Sequence, residues 1–579
     1  MTAGKGWWGQ RRNRQLTLIA CFLLPSLAIF FLYRILPLGW NVILSFESWS
    51  PLKPAAWVGF EHYVEMWSYD DVFWVSLWNT LIFIAASPLV IAAALGVALL
   101  VNSDLRGASV YRTIVFLSYP LMTVAVGIIW RWMYDERGGI INYALRASGL
   151  VDAPVGFLQS FDWALPSVIF AGVWQTIGFY MIILLTGLQS IPQNLYEAAR
   201  IDGAPAYARF FRITLPMLRP SIFLCVVVGI LNSFSSFDLV YIMTNGGPGH
   251  ATELLITHIY KSGVRADQVR LCGGADRRAV RPAAAAHLCR QQGGWRQRRR
   301  GGAGLMAARP SRPRLLLRHA TLVAVSFVML LPFYWVMKTA VTNENIYAYP
   351  PGIVPRDPHL FNFVDVWYLI PFPRYLLNSI VVSAIAVAGN VVLNAMAGYA
   401  LTRQFPGRRA VLALFLSCML IPFQATIIPA YLITAKMGLL NTYFGLAFPM
   451  LSTIICIFVF KAAFEAVPRS LIDAARLDGL SEWRIILRVL LPLSKPAIAT
   501  NVILSFIWSW NNFLWPLLIT RDPTMQTLPL GLARFLSYME DTTGALYAFA
   551  VLVLAPSILV FLMAQKEFIR GLTSGATKG

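Results

Sequence analysis

The chain reads as an all-α, polytopic helical membrane protein made of two homologous halves. Three observations lead there. Its residues are 57% hydrophobic and only 13% charged. Its apolar residues gather into runs long enough to cross a bilayer, and one loop occurs twice in matching positions. A soluble domain carries about 25% charged residues, so half of the polar surface that water demands is missing. A mean hydropathy of +0.61 over 579 residues agrees.

A membrane-crossing helix needs about 20 apolar residues. Runs of that kind lie at about 15–37, 75–101, 111–131, 164–188 and 221–243, and again at about 314–337, 377–401, 410–434, 442–463, 497–519 and 545–564. That makes five spans in a first half, residues 1–263, and six in a second, residues 306–579. Lys5, Arg11, Arg12 and Arg14 precede the first run, which contains Arg34, and no small-residue cleavage site follows. The first run is therefore expected to stay as a span, with its basic start on the cytoplasmic side. Arg106, Arg112, Arg403, Arg408 and Arg409 then fall in loops on that same side, and Glu47, Glu61, Glu65, Asp70 and Asp71 on the other.

The net charge of +21 invites a nucleic-acid reading. No basic module interleaved with aromatics accompanies it, and membrane proteins gather Lys and Arg in their cytoplasmic loops. Nucleic acid is not expected as a partner. Cys21, Cys225, Cys418 and Cys456 sit inside apolar runs as small hydrophobes. No metal or disulfide framework is spelled out.

The two halves do not join correctly. Five spans from an inside start leave the chain outside, where residues 264–305 bring Arg265, Arg270, Arg277, Arg278, Arg281, Arg290, Arg296, Arg298, Arg299 and Arg300. The second half then needs an inside start. A disordered linker or a patch for anionic lipid explains the composition and leaves the parity wrong. A reading frame slipped near Gly263 explains both. Shifted by one base, Cys272 before Gly273 can become only Val or Ala, and Asp276 before Arg277 only Thr or Ile. Permitted codons turn Val269 to Ala286 into F-G-Y-A-A-A-L-T-V-V-L-F-V-L-L-L-L-L, the missing sixth span. The same shift allows a stop across Leu305 and Met306, so that Met306 starts a separate subunit.

The duplicated loop carries the function. Pro192-Gln-Asn-Leu-Tyr-Glu197-Ala198-Ala-Arg-Ile-Asp202-Gly203 continues to Leu215-Pro216-Met-Leu-Arg-Pro220. Pro468-Arg-Ser-Leu-Ile-Asp473-Ala474-Ala-Arg-Leu-Asp478-Gly479 continues to Leu491-Pro492-Leu-Ser-Lys-Pro496. Every residue of the second copy stands 276 positions after its counterpart. Each copy reads as a short helix, a turn and a second helix, with Pro192 and Pro468 in the first helical turn. Gly203 and Gly479 suit a helix C-terminus.

These loops resemble the EAA loops of binding-protein-dependent ABC importer permeases, E-A-A-x-x-D-G followed by L-P-x-x-x-P. The first copy matches in full, and the second has Asp473 in place of Glu. The resemblance covers both halves and leaves out 264–305. Thr244-Asn-Gly-Gly-Pro248 is similar to the first subunit of carbohydrate-type pairs (maltose or glycerol-phosphate type), and Trp508-Ser-Trp-Asn511-Asn512-Phe-Leu-Trp515-Pro516 to the second. It implies a permease that imports a sugar or related polyol across the bacterial inner membrane. Glu197, Ala198, Asp202 and Gly203, with Asp473, Ala474, Asp478 and Gly479, would dock on a separate ATPase dimer. ATP and Mg²⁺ would sit on that partner, and a periplasmic or lipid-anchored binding protein would deliver the solute. The chain has no G-x-x-x-x-G-K-[ST] phosphate loop, so it is not expected to be an enzyme or to bind a cofactor.

Sugars are held by hydrogen bonds to hydroxyls and by aromatic faces. Asn232, Ser233, Ser236 and Asp238 on the fifth span of the first half are candidates, as are Trp508, Asn511 and Asn512 on that of the second, and Tyr180 on a fourth span. Polar residues in spans also join neighbouring helices, and Trp also marks the membrane interface. A secondary carrier built of two repeats is the alternative. It normally needs membrane-embedded acids or histidines, which these runs almost lack, and it leaves the paired loops unexplained.

Overall fold

The computed structural model describes residues 4–50, 53–102, 105, 107–234, 236–262, 312–342, 350–355, 357–538 and 543–576. The shifted-frame reading of 264–305, with its sixth span, lies outside the described residues. Among those described, six helices are long and apolar enough to cross a membrane, and four further pairs would qualify were they not bent.

In chain order the first half has α1 (Leu16–Leu44) and α2 (Asp71–Val101). The pair α3 (Ala108–Phe116) and α4 (Thr123–Met133) follows, then α5 (Ala164–Ser190). The first elbow helix is α6 (Gln193–Ile201), which leads to α7 (Arg219–Phe234), α8 (Phe237–Met243) and α9 (Leu255–Tyr260). The second half has α10 (Arg312–Ala340), α11 (Phe372–Thr402), α12 (Arg408–Met419), α13 (Phe423–Lys436) and α14 (Ile454–Ala466). Its elbow helix is α15 (Arg469–Leu477), followed by α16 (Lys495–Trp510), α17 (Leu514–Ile519), α18 (Leu528–Tyr538) and α19 (Thr543–Ala576). A two-stranded hairpin, Glu47–Ser50 with Lys53–Trp57, follows α1.

Five of the eleven apolar runs are not single rods. The run at 111–131 breaks between α3 and α4 around Pro120, and that at 221–243 breaks after Phe234. The run at 410–434 bends by 93° between α12 and α13, just before Pro422 and Phe423. The run at 442–463 bends by 56° after Met450, and that at 497–519 stops at Trp510 and resumes at Leu514. Proline has no N–H to donate and its ring crowds the turn before it. Asn and Ser offer the backbone competing hydrogen bonds. A hydropathy window averages over such interruptions.

Each half sends its first span across the other. From α1, Asn41 donates to the Ala425 carbonyl (2.6 Å), Arg34 to that of Ile421 (2.7 Å), and the Tyr33 hydroxyl shares a proton with Thr434 (2.9 Å). In return α10 lies on the first half. Trp335 stacks on Trp132 with centroids 5.0 Å apart, and Trp174 donates to the Val328 carbonyl at 3.3 Å. The main apolar core runs without interruption through both halves. Close crossings rest on small residues. A Cβ on Gly178 would come within 2.3 Å of the Val115 carbonyl oxygen, so α5 meets α3 backbone to backbone.

A second duplication ties down the outer segments. Asn79 donates to the carbonyls of His250 (3.2 Å) and Glu253 (3.0 Å), and Thr80 accepts from the Leu255 amide (3.0 Å). In the second half Asn378 donates to Thr524 and Gln526 (both 2.8 Å), and Ser379 accepts from the Leu528 amide (2.8 Å). Asn378 also accepts from the Tyr443 hydroxyl at 2.8 Å. Leaving a buried polar group unpartnered costs about 1–3 kcal/mol. Asn378→Ala is therefore expected to lower the apparent melting temperature of the purified chain clearly more than an exposed control such as Asp357→Ala. Equal melting curves would show that these carbonyls have other partners.

Candidate solute cavity and coupling elbows

The broken spans converge on one cavity of about 620 Å³ between the halves. Its size is that of a small-molecule site. Non-helical backbone at membrane depth persists only where protein or a cavity surrounds it, and here both do. Asn511, from the break after α16, donates to the Pro120 carbonyl at the break between α3 and α4 (3.0 Å). Gln175 on α5 donates to the next carbonyl, Leu121 (3.0 Å), and to Thr123 (3.2 Å). Arg34 caps Ile421 at the break before α13, its guanidinium 5.3 Å from the centroid of the Phe423 ring. Each half thus satisfies backbone groups that the other half's break leaves open.

All eight residues singled out for solute line this cavity: Tyr180, Asn232, Ser233, Ser236, Asp238, Trp508, Asn511 and Asn512. Their hydrogen bonds differ. Ser233 is spent on the Gly229 carbonyl (2.9 Å) and Ser236 on that of Asn232 (2.8 Å). Asn232 reaches the Tyr180 hydroxyl at 3.4 Å. Asn512 lies 3.5 Å from the Met450 sulfur and accepts weakly from the Trp515 amide (3.4 Å). The Asp238 carboxylate forms no hydrogen bond or ion pair among the described residues. Asn232 and Asp238 therefore keep the most free polar capacity. Arg34, Tyr119, Thr123, Gln175 and Gln424 line the cavity as well. Arg34 and Gln175 had a signal in the sequence, as strongly polar residues within apolar runs, but nothing local identified the carbonyls they meet.

The elbows repeat in three dimensions. In α6 and α15 the proline stands just before the helix, as its N-cap, and not within the first turn. Both helices end in the same way. The Gly203 amide donates to Arg200 (3.1 Å) and that of Ala204 to Ala199 (2.9 Å), while Gly479 and Leu480 do the same to Arg476 and Ala475 (both 3.0 Å). This paired closure needs a left-handed residue after the cap. Gly203 has φ +74° and Gly479 φ +77°. Asp202 and Asp478 are the cap residues themselves. Glu197 and Ala198 lie on α6, of which no residue is buried.

Apolar exposure is duplicated too. Ile201 is 86% exposed and its counterpart Leu477 is 90% exposed. Leu195 with Leu471, Tyr207 with Trp483 and Phe211 with Leu487 are likewise exposed pairs, each 276 residues apart. The elbows differ in their ties to the body. Arg476 bridges Asp473 (2.9 Å) and Glu482 (3.0 Å), and Glu482 also meets Arg403 (3.0 Å) and the Tyr399 hydroxyl. In the first half Ala206 stands where Glu482 does. Among the described residues a hydrogen bond between the Tyr196 and Thr214 hydroxyls (2.9 Å) ties it instead.

Comparison with known proteins identifies the family. The family model described as "Binding-protein-dependent transport system inner membrane component" matches twice, over residues 88–267 and 390–573. The arabinooligosaccharides transport system permease protein AraQ of Bacillus subtilis is 34% identical over 228 residues, 38% of this chain and 81% of that protein. The sulfoquinovosyl glycerol transport system permease protein SmoG of Agrobacterium fabrum is 35% identical over 251 residues, 43% of this chain and 80% of its own. The sn-glycerol-3-phosphate transport system permease protein UgpE of Brucella melitensis is 29% identical over 268 residues, 44% of this chain and 95% of its own. A solved bacterial ABC transporter involved in alginate import aligns at a TM-score of 0.41 and 22% identity, over 45% of this chain and 99% of that one. The chain belongs to the family of binding-protein-dependent transport system inner membrane components and carries two of its domains in tandem.

Proposed function

We propose that this chain is the permease component of an ATP-driven importer for a sugar or related polyol in a bacterial inner membrane, worked by a separate ATPase dimer. The duplicated elbows carry the reading. Two helices with the same glycine closure present matched apolar side chains to solvent among the described residues, Ile201 and Leu477 most of all. Apolar groups left in water at matched positions mark docking surfaces, and a symmetric pair suits a partner with two equivalent grooves. ATP and Mg²⁺ would reside on that partner, and a separate binding protein would deliver the solute.

The cavity supports the polyhydroxylated class. Its carboxylate, amides and hydroxyls offer both donors and acceptors, and Tyr119, Tyr180 and Trp508 supply ring faces. Relatives whose names specify arabinooligosaccharides and sulfoquinovosyl glycerol point the same way. In mechanism, closure of the ATPase dimer would move both elbows, and with them the spans that frame the cavity. Access would then alternate between the two sides.

Two outcomes are expected. In proteoliposomes holding the chain with its ATPase and binding protein, uptake follows ATP hydrolysis. Gly203→Trp and Gly479→Trp each lose co-purification of the ATPase, while Gly203→Asn, which tolerates positive φ, keeps it. Uptake that persists without hydrolysis would favour the ion-coupled carrier instead. Second, Asp238→Asn and Asn232→Ala raise the solute concentration for half-maximal uptake about tenfold, as loss of a charged or amide hydrogen bond of about 1.5 kcal/mol implies. ATPase co-purification stays intact in both. Unchanged uptake curves would remove these residues from the solute path.

A further inference from the structure

The helix that enters the cavity is duplicated, and its two copies are buried very differently. α7 and α16 have 16 residues each, 276 positions apart. α16 buries nine of its residues. α7 buries only Cys225, Gly229 and Ser233, a single stripe.

The difference falls on one face. Leu224 is 45% exposed, and Val227, Leu231 and Phe234 are only half-buried. Their counterparts Thr500, Ile503, Ile507 and Trp510 are 0%, 2%, 6% and 3% exposed. Positions 224, 227, 231 and 234 fall on one side of a helix. In the second half that side meets α19: the Trp510 indole donates to the Val553 carbonyl at 3.2 Å, and α16 packs along α19. Among the described residues α7 has no counterpart of α19.

We propose that this face of α7 is the seat of a sixth apolar helix, the counterpart of α19, and that its occupant is the shifted-frame translation of residues 264–305. Two registers agree on that occupant. Moved back by the 276 residues that separate the elbows, or by the 273 that separate Leu255 from Leu528, the apolar span Gly544–Met563 of α19 falls at 268–287 or 271–290. The apolar run of the shifted frame occupies 269–286. The described chain reaches Ser262, just before this window. As written, the window holds Arg270, Asp276, Arg277, Arg278 and Arg281, charges that are costly against an apolar face in a bilayer. The proposal does not depend on which solute is carried.

Cross-linking tests it. The contact between Trp510 and Val553 maps to position 234 and to 277 at the elbow interval or 280 at the Leu255–Leu528 interval. In a background freed of native cysteines, Phe234→Cys is combined with Arg277→Cys, and separately with Val280→Cys, in the chain as written. It is also combined with a cysteine at either place in a gene restored by one base, which yields two polypeptides divided at Met306. Trp510→Cys with Val553→Cys serves as the positive control. Oxidation is expected to cross-link the restored form and the control but not the chain as written. Equal cross-linking in the chain as written would make the arginine-rich stretch the occupant and overturn the proposal. A restored pair that assembles without cross-linking would leave the stripe to lipid, and one that fails to assemble while the written chain folds would equally overturn it.

Discussion

A peptide group inside a bilayer has no water to turn to, and most of this architecture follows from that constraint. An unbroken helix meets it internally; a broken one exposes carbonyls at a cost of several kcal/mol each. This chain breaks spans at the centre of the molecule and closes the exposed groups from the opposite half. Asn511 reaches Pro120, Arg34 reaches Ile421, and Asn41 reaches Ala425. The breaks, the cavity they frame and the clasp between halves are therefore one device. It also explains a cation in the first span. A charge in mid-membrane is costly unless it faces a cavity or a carbonyl, and Arg34 does both.

The halves solve equal problems with equal residues where geometry leaves little choice. Asn79 with Thr80 and Asn378 with Ser379 hold outer segments through the same three kinds of bond. Gly203 and Gly479 close their helices identically, because a left-handed turn leaves few alternatives. Where several solutions exist, the halves diverge. The second elbow is tied through Glu482 to Arg403 and Arg476, contacts of about 0.2–1 kcal/mol each when partly exposed. Among the described residues the first elbow has Ala206 at that place and a hydroxyl pair nearby. Ion pairs among the described residues therefore tie the second elbow and not the first.

What could be read in the sequence was what local chemistry decides. The elbows needed only a dozen consecutive residues, and their repetition at a fixed interval removed doubt about register. Asn232, Asp238 and Asn511 stood out because a polar side chain in an apolar run needs a reason, and all three line the cavity. The breaks were less visible, since hydropathy averages across them, although Pro120 and Pro422 marked two. The caps were not visible at all. Arg34 and Ile421, or Asn511 and Pro120, lie nearly 400 residues apart, and no local pattern couples them. The unfilled face of α7 is hidden for another reason. Leu224 and Val227 are ordinary residues for a span, and only the burial of Thr500 and Ile503 shows what is missing around them.

The caps also bear on why a polyhydroxylated solute suits this cavity. Any motion that parts the halves must free the carbonyls of Pro120, Ile421 and Ala425 from their partners across the interface. Inside the membrane those carbonyls can be satisfied only by groups that enter the cavity, namely water or the solute. One of them, that of Ile421, belongs to the cavity's own rim, where Leu121 and Pro422 also line it beside Asn511 and Arg34. An apolar solute would leave them bare, and a simple ion would satisfy few. A sugar or polyol carries many hydroxyls, each able to donate to a carbonyl or accept from a released amide or guanidinium. Hydrogen bonds that clasp the closed interface could then be exchanged for bonds to solute at little net cost. The same polar set would serve both to join the halves and to receive the cargo.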